Sequence, residues 1–117
     1  MDITDGHMKL PNGERAIIDS GKLTAYVLNP EHPEGSNKAR LFRELLGITL
    51  DNVHVLIRAL QKAAASREAI TGRLDPYGQR YVLDLDLVGP VGRAKIRSVW
   101  MVRRGEELPR LVTCYIL

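Results

Sequence analysis

The sequence predicts an α+β domain in which about three N-terminal helices pack on one face of a roughly four-stranded antiparallel sheet. Two observations support this prediction. Up to about Ala65 the apolar residues recur every three to four positions, as on one face of a helix, whereas from Glu68 onwards they alternate with polar residues, as on a strand. Helices followed by strands in separate halves of a chain are typical of a sheet that carries its helices on one side.

The predicted helices begin at residues that commonly cap helices. They run from Asp19 or Ser20 to Leu28, from Ser36 or Asn37 to Leu46, and from Thr49 or Asp51 to about Ala65. Pro30 ends the first helix and opens a loop over residues 29–37. Gly47 is a natural C-cap for the second.

Four strands follow the helices and are separated by turn sequences rich in glycine and proline. The predicted strands are Glu68–Leu74, Gln79–Val88, Arg93–Arg103 and Leu111–Leu117. A small sheet covered by helices on one side leaves a second face. We expect that face to present Arg80, Asp84, Lys95, Arg97 and some of Thr113 or Tyr115, which suits a nucleic-acid strand.

Composition and length indicate one folded domain over residues 9–117. The chain is 44% apolar and 26% charged, as in ordinary soluble globular domains, and 117 residues bury a core unaided. Residues 1–8 fit poorly with the segment that begins at Lys9 and are interpreted as an expression leader or a disordered tail, so His7 carries no functional weight. No apolar run approaches the ~20 residues that span a bilayer, and no signal peptide is recognisable. We expect a cytoplasmic domain with no membrane partner.

The sequence offers no motif for a metal or a cofactor. The single cysteine, Cys114, excludes an intramolecular disulfide, and neither CxxC nor HExxH occurs, so we predict no metal site and no cofactor. Cys114 lies between Val112 and Ile116 and is interpreted as a buried small apolar residue rather than a nucleophile. We also considered a cofactor-dependent nucleotide transferase, but the sequence has no glycine-rich phosphate loop to support that function.

Positive charge is concentrated in the body of the domain. Residues 37–117 hold fourteen basic and eight acidic residues, whereas residues 1–36 hold three and six. Arginine outnumbers lysine by twelve to five, and arginine is suited to bidentate phosphate contacts and to stacking on bases. This balance favours a polyanionic partner.

Two stretches carry the candidate catalytic residues. In LNPEHPEGSNKAR, residues 28–40, His32 lies between two prolines and Lys38 lies near the start of the next helix. In the final strand Thr113 and Tyr115 are two positions apart, so they share a face, and we expect Leu111 on that same face. From the residues alone, His32 is equally an exposed loop residue, and Thr113 and Tyr115 are equally ordinary strand residues.

Three further residues are candidates for substrate binding. Arg97 and Trp100 lie on opposite faces of the third predicted strand. Arg97 suits a phosphate, whereas Trp100 is either a core residue or a platform on which a base stacks. Arg40, two residues after Lys38, is the third candidate.

Long segments of the sequence resemble a known bacterial family. The runs KLTAYVLNPEHPEGSNKARLFRELLG, YGQRYVLDLDL and PRLVTCYIL, with a tryptophan strand between the last two, resemble small uncharacterised domains that occur alone and at the C-termini of polymorphic toxins. The resemblance covers essentially all of residues 9–117. The layout is similar to the superfamily that unites barnase, EndoU, the tRNase colicins and RelE, whose members are typically metal-independent ribonucleases, often neutralised by a small partner protein.

The resemblance implies a role for each candidate catalytic residue. His32 and Lys38 would occupy the loop-and-helix catalytic positions, and Thr113 and Tyr115 the positions on the late strand. EndoU-like members use two histidines. The other candidate here, His54, lies in the middle of a predicted helix, so the second proton-transfer residue stays open.

We therefore expect a toxin-like, metal-independent ribonuclease that binds RNA and cleaves it by attack of the ribose 2′-hydroxyl. A cognate antitoxin or immunity protein would hold it in check, in the cytoplasm of the producing cell or of a target cell. A second class stays open, a non-catalytic protein-binding module such as the neutralising partner of a toxin. In that case His32 and Lys38 are surface residues, and the basic sheet face recognises a protein.

Overall fold

A computed structural model describes residues 7–24, 28 and 36–117 of the chain. Within these ranges the helices are α1 (Ser20–Lys22), α2 (Ser36–Leu41) and α3 (Val53–Ser66), and the strands are β1 (His7–Lys9), β2 (Glu68–Asp75), β3 (Gly78–Val88), β4 (Arg93–Arg103) and β5 (Pro109–Ile116). The strands form one antiparallel sheet in the order β1-β2-β3-β4-β5. The predicted α+β class is confirmed, with five strands in place of four.

The helices begin at the predicted caps. The Asp19 carboxylate accepts a hydrogen bond from the Lys22 backbone N–H at 3.3 Å, which opens α1. Thr49 forms a capping box with Asn52, and a short 3₁₀ turn at Leu50–Asn52 then leads into α3. Residues 25–27 of the predicted first helix and residues 29–35 of the loop after it lie outside the described residues, and Leu28, the predicted end of that helix, lies in a bend.

The second helix ends where expected. After α2 the chain widens into a π-helical turn over Phe42–Leu46, and Gly47 then adopts φ 72°. That left-handed conformation is open to glycine at little cost, and the Gly47 N–H donates back to the Arg43 carbonyl at 2.9 Å.

The core lies between the helices and one face of the sheet. On the helical side it contains Phe42, Leu46, Leu56 and Leu60, and on the sheet side Leu83, Leu85, Leu87, Ile96, Trp100, Leu111 and Cys114. The alternation predicted along β3 and β4 is confirmed in part of each strand. The buried residues there are Leu83, Leu85, Leu87, Ile96, Ser98 and Trp100, and the residues between them are partly or fully exposed. No helix within the described ranges is long and apolar enough to cross a membrane.

One polar group is fully enclosed in this core. The Ser98 hydroxyl donates to the Leu83 carbonyl at 2.6 Å and accepts from the indole N–H of Trp100 at 2.8 Å. Both side chains have no exposed surface. The hydroxyl thus satisfies a buried indole that would otherwise have no partner in the core.

The additional strand, β1, combines His7 and Met8, which were predicted to belong to a leader or tail, with Lys9, the first residue of the predicted domain. Met8 pairs with Ala69 and Lys9 with Glu68, so β1 extends the sheet beyond β2. A strand of three residues is too short to show an alternating pattern, which is why the sequence did not reveal it.

The final strand contains a β-bulge that the alternation in the sequence does not predict. Val99 on β4 pairs with Thr113, but the next residue, Trp100, pairs with Leu111, so Val112 is an extra residue in β5. As a result Leu111 faces the core, and the expectation that it shares a face with Thr113 is wrong.

Candidate active site

The second face of the sheet, on the side opposite α3, carries the predicted polar residues. In one row across the strands Asp84 pairs with Arg97 and Arg97 with Tyr115, and in the next row Val82 pairs with Val99 and Val99 with Thr113. All of these side chains are partly exposed. The pairing places Arg97, Thr113 and Tyr115 close together on adjacent strands.

Lys38 reaches this face from α2. Its ammonium group donates a hydrogen bond to the Thr113 hydroxyl at 3.0 Å and lies 5.6 Å from the centre of the Tyr115 ring. The second contact is within the range of a cation–π interaction. Three of the four predicted catalytic residues are thus in contact, although Lys38 and Thr113 are 75 positions apart. We call Lys38, Thr113 and Tyr115 the Lys38 cluster.

The bulge in β5 bears directly on this arrangement. Because Val112 is an additional residue, the side chain of Leu111 faces the core, whereas that of Thr113, two positions later, faces the opposite side of the sheet. Bulges commonly redirect a side chain in this way beside functional sites. Here the bulge directs the Thr113 hydroxyl to the second face, where Lys38 meets it.

Arg97 is held by a carboxylate next to the Lys38 cluster. Its Nε and Nη2 atoms each donate to Asp84 at 2.9 Å, which is a bidentate ion pair. The hydrogen bond from Arg97 lowers the pKa of Asp84, against a smaller opposing effect of partial burial. The hydrogen bond to Asp84 and its charge raise the pKa of Arg97, and Tyr115 adds to the same effect. Arg97 is therefore a fixed, permanent cation beside Tyr115.

Asp84 was not among the predicted site residues, but the sequence contains a signal for it. The turn at residues 89–92 joins β3 to β4, and Asp84 and Arg97 lie at nearly equal distances on either side of it. Opposite charges placed symmetrically about a hairpin turn face each other on the same side of the sheet.

The two histidine candidates have different outcomes. His32 lies outside the described residues, so its catalytic role stays a prediction. His54 is exposed on α3, which packs against the core face of the sheet. It is therefore on the opposite side of the sheet from Thr113 and Tyr115.

Two of the three predicted substrate-binding residues lie elsewhere. Trp100 has no exposed surface and donates its indole N–H to Ser98, so it is a core residue and offers no platform to a base. Arg40 is exposed and donates to Asn37 at 2.8 Å, with Glu44 at 3.9 Å. None of the contacts of the described residues joins Arg40 to the Lys38 cluster.

Cys114 has the buried position that the sequence predicts. It has no exposed surface, and burial raises the pKa of its thiol to about 12, while the charge of Lys38 opposes that rise. A thiol in this state is neither a thiolate nucleophile nor a metal ligand at neutral pH. Across the described ranges no group of three or more histidine, cysteine, aspartate or glutamate side chains is arranged to hold a metal ion.

In chemical terms the site combines cations with hydroxyl groups. Lys38 and Arg97 both supply positive charge next to Tyr115, and Thr113 and Tyr115 supply hydroxyls that donate or accept hydrogen bonds. Such a set is suited to a phosphate group, whose oxygens accept hydrogen bonds from all four side chains.

Comparison with known proteins places the chain in a family without assigning an activity. No characterised protein and no solved structure matches it. One family model does match, over residues 9–117, which is nearly the whole chain and includes every residue of the Lys38 cluster. The chain therefore belongs to the family described as a domain of unknown function, DUF6883.

Proposed function

We propose that this domain is a toxin-like ribonuclease that cleaves RNA without a metal ion and that a cognate antitoxin or immunity protein neutralises. It would act in the cytoplasm of the producing cell or of a target cell. The observation that carries the proposal is the contact of Lys38 with Thr113 and Tyr115. These residues belong to the two stretches in which the family resemblance implies catalytic positions.

The reaction requires a base, an acid and positive charge on the phosphate. The ribose 2′-hydroxyl gives its proton to the base, and its oxygen attacks the adjacent phosphorus. As that bond forms, the bond from phosphorus to the 5′-oxygen of the next nucleotide breaks, and the acid protonates the departing oxygen. The products are a 2′,3′-cyclic phosphate and a 5′-hydroxyl end. No metal is required, because the nucleophile is part of the substrate.

Each member of the Lys38 cluster has a role in this scheme. The ammonium group of Lys38 stabilises the charge that develops on the non-bridging phosphate oxygens. Donors placed in advance for such charge typically contribute about a hundredfold to a thousandfold in rate. Thr113 positions the phosphate through its hydroxyl, and Tyr115 positions the phosphate, stacks on a base or moves a proton.

Arg97 provides a second cation for the phosphate. Two of the five N–H donors of Arg97 bind Asp84, and this ion pair fixes the plane of the guanidinium group. The other donors serve Tyr115 and a phosphate oxygen. Since the pair with Asp84 offsets part of the charge of Arg97, we assign Lys38 the larger share of the stabilisation.

His32 is proposed as a proton-transfer residue. Histidine is the side chain whose ordinary pKa lies near neutrality, so it accepts and returns a proton under physiological conditions. Tyr115 is the proposed partner for the second proton transfer, because its ring lies 5.6 Å from the Lys38 ammonium group and it interacts with Arg97.

The test compares purified wild-type chain with Lys38→Met, Thr113→Val and His32→Ala variants on a fluorescent RNA in the presence of EDTA. We expect Lys38→Met and His32→Ala to reduce cleavage by about a hundredfold or more, and Thr113→Val by less. Lys62→Met, which removes an exposed lysine from α3, is the matched control and should keep full activity. The fragments should carry cyclic phosphate ends.

Two results would contradict the proposal. One is a wild-type chain that leaves RNA intact under all of these conditions. The other is a Lys38→Met variant that is folded, by its thermal unfolding curve, and cleaves RNA as fast as the Lys62→Met control.

A protein-binding module is the second candidate, and one feature of the second face favours it. Ile70, Val82 and Val99 form an apolar row across three strands, bordered by the Asp84–Arg97 ion pair. An apolar centre with a polar rim is common in protein interfaces. For such a module, Ile70→Glu would abolish capture of the partner while Lys38→Met would leave it unchanged.

A further inference from the structure

A pocket of about 470 Å³ lies beyond the Lys38 cluster on the same strands. The side chains that matter for its chemistry are Lys22, Tyr77, Met101, Arg103 and Arg110. Met101 pairs with Arg110 in a row that follows the Val99–Thr113 row. At a strand rise of about 3.3 Å per residue, Met101 is about 7 Å further along β4 than Val99.

The rim of this pocket is positively charged. Lys22 and Arg103 are exposed, and neither has an ion-pair partner among the residues that the structure describes. Arg110 is held in place by Glu106, whose carboxylate accepts from its Nε at 3.0 Å. Three cations against one carboxylate make the pocket complementary to an anion.

An aromatic ring stands at the same rim on a fixed backbone. The Tyr77 side chain is 74% exposed. Its N–H donates to the Asp75 carboxylate at 2.9 Å, and its carbonyl accepts from the Arg104 N–H at 2.9 Å. Because the turn is already ordered, a base that stacks on Tyr77 does not have to order the backbone first.

From these observations we infer that the pocket is a second subsite for the RNA strand. Tyr77 stacks on a base a few nucleotides from the scissile bond, and Arg103 with Lys22 contacts the neighbouring phosphate. Aromatic stacking platforms beside cations are the usual means of holding single-stranded nucleic acid without regard to sequence. This inference rests on the proposed function and extends it to a substrate class, single-stranded RNA longer than a dinucleotide.

The test uses Tyr77→Leu and Arg103→Gln in the full chain, with Arg104→Gln as the matched control. Arg104 lies next to Arg103 and carries the same charge, but its side chain lines a separate pocket with Leu74 and Gln79. Cleavage is measured on a dinucleotide and on a longer single-stranded oligonucleotide. Binding is measured on the same oligonucleotide with 2′-deoxyribose at the cleavable position.

We expect Tyr77→Leu and Arg103→Gln each to raise KM for the longer RNA by about tenfold, with kcat and the dinucleotide kinetics unchanged. Arg103→Gln should also lower the salt dependence of binding by about one counterion. Arg104→Gln should leave KM unchanged. The split between KM and kcat separates a remote contact from a loss of the catalytic residues.

Failure of this inference is distinguishable from failure of the proposed function. If the wild-type chain cleaves RNA but Tyr77→Leu and Arg103→Gln match Arg104→Gln on both substrates, the second subsite is overturned and the ribonuclease stands. If the wild-type chain cleaves nothing yet binds the oligonucleotide through Tyr77 and Arg103, the ribonuclease is overturned and the RNA subsite stands. A chain that does neither overturns both. Variants that cleave and bind RNA like Arg104→Gln but lose the binding of a protein inhibitor overturn the RNA subsite and leave the ribonuclease standing.

Discussion

Replacing Ser98 with alanine tests whether the buried hydroxyl in the core stabilises the sheet beneath the site. The change removes a hydrogen bond to the Leu83 carbonyl and leaves the indole N–H of Trp100 without its partner. A typical intramolecular hydrogen bond contributes about 1 kcal/mol, and a buried donor left unsatisfied costs about 1–3 kcal/mol. We therefore expect Ser98→Ala to lower the free energy of unfolding by about 2–4 kcal/mol, or Tm by about 10–15 °C for a domain of this size.

A double-mutant cycle with Trp100→Phe isolates the contact between the two side chains. Phenylalanine has no N–H, so in that background Ser98→Ala removes only the bond to Leu83 and should cost about 1 kcal/mol. The coupling free energy between the two substitutions is then about 1–3 kcal/mol. Urea unfolding followed by far-UV circular dichroism is the appropriate assay, because Trp100 is the single tryptophan and its fluorescence is lost in half of the cycle. Equal costs of Ser98→Ala in both backgrounds would refute the reasoning.

Three further predictions concern the sheet. The lowered pKa of Asp84 means that its pair with Arg97 stabilises the fold above the ordinary carboxyl value of 3.8 and that this contribution disappears as pH falls through the lower folded-state pKa. Between neutral pH and about pH 3, the Tm of Asp84→Asn should accordingly fall by less than the Tm of the wild type. A larger fall in the variant would contradict the lowered pKa of Asp84. The Cys114 thiol, with a pKa of about 12, should resist a thiol reagent near neutral pH until urea unfolds the chain, and rapid native labelling would show that β5 opens locally. Gly78→Ala should destabilise by about 2–3 kcal/mol in thermal melts, because φ is 151° and a Cβ would collide with the Val102 carbonyl, so a neutral result would disprove that conformation.

The strands and helices could be predicted from the sequence because their signals are local. The alternation of apolar and polar residues along β3 and β4 sets which side chains face the core, and Thr49 and Gly47 bound their helices by capping chemistry that acts within a few residues. The spacing also predicts that Arg97 and Trp100 lie on opposite faces of β4. This is confirmed, because Trp100 is buried in the core and Arg97 pairs with Tyr115 on the second face.

The features that escaped prediction depend on pairing between distant segments. The bulge at Val112 exists because Leu111 enters the core beside Trp100 while Thr113 stays on the second face, and a single strand's pattern does not show where its partner shifts register. Likewise β1 exists only through its pairing with β2. The contact of Lys38 with Thr113 joins positions 75 residues apart, and spacing along the sequence does not predict it.

The 75-position separation of Lys38 and Thr113 also determines when the site comes into being during synthesis. β5 carries Thr113 and Tyr115 and is the last strand of the sheet to leave the ribosome. A nascent chain that has completed only α2, α3 and the first strands holds Lys38 without its partners, so the cluster cannot assemble. Translation thus imposes a delay between the synthesis of Lys38 and that of Thr113, and the cluster assembles only once β5 has joined the sheet.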